Sequence, residues 1–418
     1  MPRAMPRPRP HRPRIAVLSP FLDKRHGTER CIAEQIERLS KIYDFHLYSS
    51  RVEDLDLSNI TWHRVWIPPG PHLFRFLWWL FANRLHRMGD RLRGLRPDLI
   101  YSPGINCLDA DLIVVHMLFE SFRLQMRNEL SLRRNPVRTW PLLLHRRIYY
   151  KFLGLLESRI YSSEKVSLVA VSGKTAREIK DLYPRKSDPA VIYHGLDTAR
   201  FSPVRRQALR PAARAALNLA GDDFAILLIG NDWKNKGLTC LLEAAGKLDK
   251  HEIRLLIVGE DSPVPYQELI HRLGLVEQVK LLPRRPDVEF YYAAADVYAG
   301  PSLEDTFSLP PAEAMACGLP AITTRAAGVS EIIHHGVDGI ILEDPTDAQT
   351  LSGWLARLLA EPDLRDRMGK AAAQTAVQYT WERNAEQLRE LIDGLLGRSS
   401  SVQKKGGPSK RMKGRWSG

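Results

Sequence analysis

With 418 residues, the chain is too long for one ordinary hydrophobic core, and a hydrophobic content of 44% is ample for globular folding, so we expect two domains. Four cysteines without C-x-x-C spacing exclude a disulfide framework and a zinc knuckle, and they are typical of a reduced, cytoplasmic protein. No N-terminal apolar segment has the character of a signal peptide, and no run of about 18 apolar residues predicts a membrane-spanning helix.

The net charge of +13 is concentrated at the two ends of the chain. The first fourteen residues hold five arginines and no acid, and residues 398–418 hold seven basic residues and no acid. We therefore expect disordered basic tails at 1–13 and 398–418. Solvated tails and contact with anionic lipid or nucleic acid both fit this charge, but no known nucleic-acid-binding module is present, so we expect no nucleic-acid partner.

From Arg14 onward, short apolar runs alternate with segments of helical periodicity. The first series of predicted strands is RIAVLSPF, FHLYSS, DLIYSP, DLIVVH, SLVAVS and AVIYHG, and the second is FAILLIG, RLLIVG, VKLLP, DVYAG, PAITT and GIIL. Such alternation predicts parallel sheets covered by helices on both faces. The expected fold class is α/β, with two Rossmann-like doubly wound domains that meet near residues 194–203 and face each other across a cleft.

The segment AGPSLEDTFSLPPAEAMACG, residues 299–318, follows one of these strands and draws attention as a binding turn. The proline pair at 310–311 suits the first turn of a helix, and Gly318 suits its end. Backbone N–H groups near Ser308 would then bind a phosphate, and Glu313 is expected in the first helical turn. A first-turn acid needs no ligand, but two acids flanking an aromatic residue and a helix start favour a binding site.

The spacing Asp305-x7-Glu313, followed by AMACGLP, resembles the E-x7-E motif of retaining family 4 glycosyltransferases with the GT-B fold. Segments that resemble the same family, in the same order, are HGTERCIAEQIERL, AVSGKTAREI, VIYHGLDTARFSP, NDWKNKGLTCLLEAA, AAGVSEIIHHGVDGIIL and YTWERNAEQLRELI. The layout is most like that of lipopolysaccharide core α-glucosyltransferases. The resemblance implies an N-terminal acceptor-side domain over 14–200, a C-terminal nucleotide-sugar-binding domain over 201–380, and a C-terminal helix over 381–397 that returns to the N-terminal domain.

By this resemblance, Asp305 would hold hydroxyls of the transferred sugar and Glu313 would hold the ribose hydroxyls. Lys236 matches the lysine that stabilises the departing phosphate, and His116 resembles a histidine placed beside the donor sugar. These four residues are the implied catalytic set. The implied donor-binding residues are Gly27, Thr28, Arg30, Asn231, Lys234, Arg284, Phe307, Ser308 and Leu309.

Three departures from the family pattern leave the donor sugar open. The first acid is Asp305 rather than Glu, and Ser308 replaces the usual Gly. The family usually has an arginine upstream of the phosphate-binding lysine, and Asn231 stands nearest its place in this chain. Lys234 could supply the positive charge that is then missing. The D-x-D spacing at 109–111 fits the metal motif of the other large glycosyltransferase fold, but the two-domain layout and the lysine segment argue against that reading, so we expect no metal and no cofactor.

Two segments of the N-terminal half suggest surface contacts. Residues 121–151 hold eight basic residues and one acid among aromatic and apolar residues, which favours peripheral contact with an anionic membrane or an acidic acceptor. In LFRFLWWLFANRLHRMGDRLR, Arg84, Arg87 and Arg91 share one helical face. For this second segment we expect an apolar side in the core and a solvated charged side.

These inferences together predict a cytoplasmic retaining glycosyltransferase at the inner face of a membrane. UDP-glucose is the expected donor, and a glycan or lipid-linked acceptor such as lipopolysaccharide core is the expected acceptor. GDP-mannose or another UDP-sugar, a GT-B-like epimerase or phosphorylase, and a basic nucleic-acid-binding protein are the alternatives.

Overall fold

The computed structural model describes residues 12–25, 27–126, 137–249 and 251–397. Apart from residues 12 and 13, the expected basic tails lie outside the described residues. Two parallel sheets covered by helices make up the described chain, which confirms the expected fold class.

The N-terminal half is built on a seven-stranded parallel sheet. Its strands are β1 (Arg14–Leu18), β3 (Asp44–Ser49), β5 (Ile60–Arg64), β6 (Leu99–Pro103), β7 (Leu112–Val115), β8 (Ser167–Ala170) and β9 (Ala190–Val191), with β2 (Phe21–Leu22) and β4 (Arg51–Val52) in a small separate sheet. The helices of this half are α1 (Gly27–Leu39), α2 (His72–Leu92), α3 (Phe119–Gln125), α4 (Trp140–Tyr161) and α5 (Gly173–Leu182), with a 3₁₀ turn at Val137–Thr139.

The C-terminal half is built on a six-stranded parallel sheet. Its strands are β10 (Phe224–Ile229), β11 (Ile253–Val258), β12 (Val279–Leu282), β13 (Val297–Ala299), β14 (Ala321–Thr324) and β15 (Ile340–Leu342). The helices are α6 (Pro203–Ala216), α7 (Leu238–Ala245), α8 (Val264–Leu273), α9 (Glu289–Ala294), α10 (Leu309–Ala316), α11 (Ala348–Ala360), α12 (Pro362–Ala376) and α13 (Trp381–Leu395), with a 3₁₀ turn at Gly328–Ile332.

The central strands are continuous apolar runs because both of their faces are covered. In β10, Ala225 and Leu227 pack into one hydrophobic cluster, whereas Ile226 and Leu228 pack into a second cluster on the opposite face. The edge strand β5 lacks such a run, since only its first residue, Ile60, is buried. This strand was absent from the sequence-based prediction for that reason.

The strand order of each sheet fixes where a ligand can bind. The first sheet has the order β5-β3-β1-β6-β7-β8-β9, and the second has the order β12-β11-β10-β13-β14-β15. The order therefore reverses between β1 and β6 in one half and between β10 and β13 in the other. Open α/β sheets bind ligands beyond the carboxyl ends of the strands at these reversal points.

Helix α13 packs against α1 of the N-terminal half. Gln35 Nε2 donates to Asn384 Oδ1 at 2.9 Å, and the Tyr43 hydroxyl donates to Asp393 Oδ1 at 2.8 Å. The backbone N–H of Leu196, in the connection between the halves, donates to the Tyr379 carbonyl just before α13. The end of the described chain thus links the two halves.

Helix α2 meets the expectation drawn from its sequence only in part. One apolar side of the helix, which includes Trp79, packs into the core of the N-terminal half as expected. Its buried residues are Trp79, Asn83, Arg87 and Asp90, of which three are polar, while Phe81 and other large apolar side chains are exposed. The prediction of a fully solvated charged side was wrong at Arg87, which is buried because it forms a bidentate ion pair with Asp109 and a hydrogen bond to Asn83. Within the described residues, no helix is both long and apolar enough to cross a membrane.

Candidate active site

A cavity of about 980 Å³ lies between the two halves, at the carboxyl ends of the strands that flank both reversal points. Its lining includes twelve of the thirteen residues predicted from the sequence: Gly27, Thr28, Arg30, His116, Asn231, Lys236, Arg284, Asp305, Phe307, Ser308, Leu309 and Glu313. Lys234 is exposed and does not line the cavity.

Lys236 and Asp305 follow the neighbouring strands β10 and β13, and this adjacency brings their side chains together. The Lys236 ammonium donates to Asp305 Oδ2, and it lies 3.2 Å from the hydroxyl oxygen of Ser308. Two glycines permit this arrangement. A side chain on Gly230 would collide with the Lys236 stem, and Gly237, at φ +80°, packs against the Pro301 carbonyl where no Cβ fits.

Glu313 lies in the second turn of α10, because the helix begins at Leu309. The prediction that it occupies the first turn was therefore wrong. Its carboxylate is buried and has a partner at each oxygen. Arg30 Nη1, from the opposite half, pairs with Oε1 at 2.7 Å, and the Tyr292 hydroxyl donates to Oε2 at 2.8 Å.

Two helices begin at the cavity, one from each half. Helix α1 begins at Gly27, and α10 begins at Leu309, whose side chain faces Gly27. The backbone N–H of Leu309 and the positive ends of both helix dipoles favour an anion at this place, whereas Pro310 and Pro311 carry no N–H. A Cβ on Gly27 would meet nothing closer than 3.9 Å, so packing within the chain does not require this glycine.

Two histidines form the wall of the cavity near Phe307. The rings of His116 and His194 lie 5.3 Å apart, and His194 lies 5.1 Å from the Phe307 ring. Burial lowers the pKa of His194 to about 3, and burial followed by the nearby His194 lowers the pKa of His116 well below its usual value. Both imidazoles are therefore neutral at pH 7. His116 Nε2 is buried and has no hydrogen-bond partner among the residues that the structure describes.

Asn231 and Arg284 line the cavity and have contacts of their own, whereas Asp109 and Asp111 do not line it. Asn231 accepts a hydrogen bond from the Glu260 backbone N–H at 3.2 Å, and Arg284 donates to the Arg25 carbonyl of the opposite half. Asp109 and Asp111, which have the D-x-D spacing, face other partners. Asp109 forms a bidentate pair with Arg87 at 2.7 and 2.8 Å, and Asp111 accepts from the Ile100 N–H at 2.8 Å.

Comparison with known proteins agrees with this layout. A family described as Glycosyltransferase Family 4 matches residues 25–200, and one described as Glycosyl transferases group 1 matches residues 210–375. The chain belongs to the family 4 glycosyltransferases. Its fold is GT-B.

The curated relatives match about half of the chain, whereas the solved structures match most of it. D-inositol 3-phosphate glycosyltransferase of Corynebacterium urealyticum is 33% identical over 253 residues, which cover 58% of this chain and 59% of that protein. The chain spans only about half to three fifths of the length of the curated relatives that it matches.

Solved structures extend the similarity in fold to most of the chain. The crystal structure of WaaG, a glycosyltransferase involved in lipopolysaccharide biosynthesis, has a TM-score of 0.75 at 18% identity and covers 91% of this chain and 100% of its own. Anabaena HepE in complex with UDP-glucose has a TM-score of 0.68 at 19% identity and covers 91% of this chain and 99% of its own.

Several cavity residues escaped the sequence-based prediction. His194, Arg200 and Arg285 line the cavity, and Tyr292 supports Glu313 from behind. The segment HGLD that contains His194 was noted as the joint between the halves and as part of a family-like segment, but its histidine was not included among the site residues. Tyr292 gave no signal, because a tyrosine within an apolar helix is typical of a packed core.

Ser308 occupies the position at which the resemblance leads us to expect glycine, and its backbone explains that preference. Its φ of +76° and ψ of +98° lie outside the regions that residues with a Cβ adopt readily. The cost of such a conformation is about 1–3 kcal/mol. The Ser308 hydroxyl near Lys236 gives partial compensation.

We predict that Ser308→Gly is more stable than Ser308→Ala by about 1–2 kcal/mol, since both variants lose the hydroxyl but only glycine relieves the backbone. Urea unfolding of the two variants measures this difference. At Ser158, an exposed residue of α4, the same pair should have the opposite order by about 1 kcal/mol. An alanine variant at 308 as stable as the glycine variant would contradict the strain.

Proposed function

We propose that the chain is a retaining glycosyltransferase that moves glucose from UDP-glucose to a glycan or lipid-linked acceptor, without a metal ion. The observation that carries the proposal is the convergence of Lys236, Asp305 and Glu313 on one cavity at the start of α10. Carboxylates suit the hydroxyls of a sugar and a ribose, and a lysine suits a phosphate.

The cavity is suited to a diphosphate because its charge is mainly positive. Seven basic side chains and four acidic side chains line it. The basic residues are Lys24, Arg25, Arg30, Arg200, Lys236, Arg284 and Arg285. Together with the two helix N-termini, they offset the repulsion between a diphosphate and the two carboxylates of the turn.

Each carboxylate of the turn keeps acceptor capacity for the donor. An ionised carboxylate offers about four lone-pair sites. Glu313 has one described partner at each oxygen, and Asp305 accepts from Lys236 at Oδ2 and from the Phe307 backbone N–H at Oδ1. Ribose hydroxyls can therefore donate to Glu313, and sugar hydroxyls to Asp305, without loss of the pairs that hold the turn.

No side chain of this site needs to act as a general base. In the retaining mechanism that we propose, the bond from the anomeric carbon to the leaving phosphate breaks, and the acceptor oxygen attacks the same face of the sugar. The leaving phosphate oxygen takes the proton of the acceptor hydroxyl. Lys236 stabilises the charge that develops on that phosphate, while neutral His116 can only offer hydrogen bonds to the sugar.

The acceptor side of the proposal rests on the N-terminal half. In α4, Leu144, Ile148 and Leu155 recur at helical spacing and are at least half exposed, and exposed Arg147 and Lys151 lie between them. Residues 127–136 of the basic segment lie outside the described residues. A basic and apolar surface of this kind suits an anionic bilayer, and we place the enzyme at the cytoplasmic face of a membrane.

The relatives raise a second acceptor class. D-inositol 3-phosphate glycosyltransferases, by name, use a small phosphorylated polyol. The basic lining of the cavity would also suit such an acceptor. GDP-mannose and other UDP-sugars remain alternative donors. An epimerase or a phosphorylase would differ in its products.

We predict that the protein slowly hydrolyses one nucleotide sugar from a panel of UDP-, GDP- and ADP-sugars. UDP-glucose is the donor that we expect it to hydrolyse. Asp305→Ala and Glu313→Ala should each reduce nucleotide release by about a hundredfold or more, since each removes a group that holds the donor. Glu343→Ala, which alters an exposed ion pair with Arg325, is the matched control and should retain full activity. Release from all donors that persists in both cavity variants would overturn the assignment of the turn.

We also predict that the full chain binds vesicles containing an anionic lipid and not vesicles of a neutral lipid, and that added salt weakens binding. A double variant, Leu144→Ser with Ile148→Ser, should reduce binding about tenfold because it removes exposed apolar area. Val264→Ser, at a more exposed apolar residue in the other half, is the control. Equal binding by both variants in a flotation assay would contradict contact through α4.

A further inference from the structure

A cluster of histidine and aspartate side chains lies outside the cavity, where strand β5 meets helix α2. His63 Nδ1 lies 3.3 Å from Asp90 Oδ2, and His86 Nδ1 lies 3.9 Å from the same oxygen. All three ligand atoms lie within 4.8 Å of one another. Asp90 is buried and His86 is exposed, so the cluster is open to solvent on one side.

From this geometry we propose that His63, His86 and Asp90 form a binding site for a divalent transition-metal ion, with Zn²⁺ as the best fit. Two imidazoles and one carboxylate are common zinc ligands, and they leave a fourth position for water. Ligand atoms of a tetrahedral zinc ion lie roughly 3.4 Å apart, because Zn–N and Zn–O bonds are about 2.0–2.2 Å. The separations of 3.3 and 3.9 Å from Asp90 are close to that value, and the two imidazoles, whose ligand atoms lie within 4.8 Å of each other, need to approach by at most about 1.4 Å.

The hydrogen bonds behind His63 orient it as a metal ligand. Its Nε2 lies 2.8 Å from His46 Nδ1, and His46 Nε2 lies 3.3 Å from Asp44 Oδ2. With a metal ion on His63 Nδ1, His63 Nε2–H donates to His46 and His46 Nε2–H donates to Asp44. Both imidazoles are then neutral and each contact has one proton. Carboxylate–histidine support of this kind fixes the tautomer of ligating histidines.

The groups around the cluster include other charges. The Tyr48 hydroxyl donates to Asp90 Oδ2 at 2.9 Å, and Arg93 Nη1 lies 3.6 Å from Asp90 Oδ1. Asp44 is shared with Arg14, whose Nε lies 3.3 Å away. Arg93 is 78% exposed and can turn away, and its partner Oδ1 is not the oxygen that faces the histidines. The site therefore keeps one carboxylate oxygen directed at the two imidazoles.

A bound ion would join the edge strand β5 to α2, the helix that carries exposed apolar side chains along the surface. The site does not involve the residues of the donor cavity. Its failure would therefore leave the proposed glycosyl transfer untouched.

The test uses the full chain without a polyhistidine tag, titrated with Zn²⁺ by calorimetry and with Co²⁺ by visible absorption. We expect one equivalent bound and a rise in unfolding temperature on zinc addition, since an ion that binds only the folded state stabilises it. His86→Ala should lower the affinity at least tenfold and abolish that rise. His271→Ala, an exposed histidine of α8, should change neither.

A second variant separates the supporting histidine from the ligands. His46→Phe removes no ligand and should lower zinc affinity by about 10- to 100-fold. Three results would overturn the site: no stoichiometric zinc binding, unchanged binding in His86→Ala, or zinc binding that Glu313→Ala removes. If His46→Phe does not fold, the comparison of His86→Ala with His271→Ala decides the question alone.

Discussion

Two carboxylates at one turn, Glu313 buried and Asp305 mostly covered, need cations, and this requirement organises the interface between the halves. A buried carboxylate without a partner is costly, and removal of one partner from such a pair costs several kcal/mol. Asp305 takes its cation from the neighbouring strand loop, as Lys236, and Glu313 takes its cation from the opposite half, as Arg30. The turn therefore fixes both the lysine loop and the approach of α1.

Further polar contacts hold the turn around Asp305 against the N-terminal half. The Thr306 hydroxyl donates to the His116 carbonyl at 2.7 Å, and Ser172 donates to the Thr306 carbonyl at 2.6 Å. Both contacts cross from the C-terminal half to the N-terminal half within two residues of Asp305. A ligand that enters the cavity meets a turn that is already ordered, which favours tight positioning of a reacting sugar.

The sequence was sufficient for the strands with two covered faces and for the turns that follow them. Strands such as β10 read as continuous apolar runs, and Pro, Gly and acidic residues mark the turn before α10. The edge strand β5 escaped because its exposed positions carry Thr, Trp and Arg. The burial of Arg87 on α2 escaped because periodicity cannot show that a basic residue meets an acidic partner such as Asp109.

The site residues within one turn were predictable from the sequence. The pairs between residues far apart in the sequence were not. Asp305 and Glu313 share one motif, and Lys236 follows an adjacent strand. The pairing of Arg30 with Glu313 joins residues 283 positions apart, and no local pattern encodes it. Lys234 was included for its charge, but it lies two residues from Lys236 and does not line the cavity.

The central claim is that Lys236 contacts the terminal phosphate of a nucleoside diphosphate. A calorimetric titration of UDP and UMP against the parent chain, Lys236→Met and Lys234→Met tests it most directly. We predict that Lys236→Met loses roughly 10- to 100-fold in affinity for UDP, the worth of a hydrogen bond to a charged group, and little for UMP. Lys234→Met should bind both nucleotides like the parent. Equal losses for UDP and UMP in Lys236→Met, or a loss of UDP affinity in Lys234→Met alone, would contradict the claim.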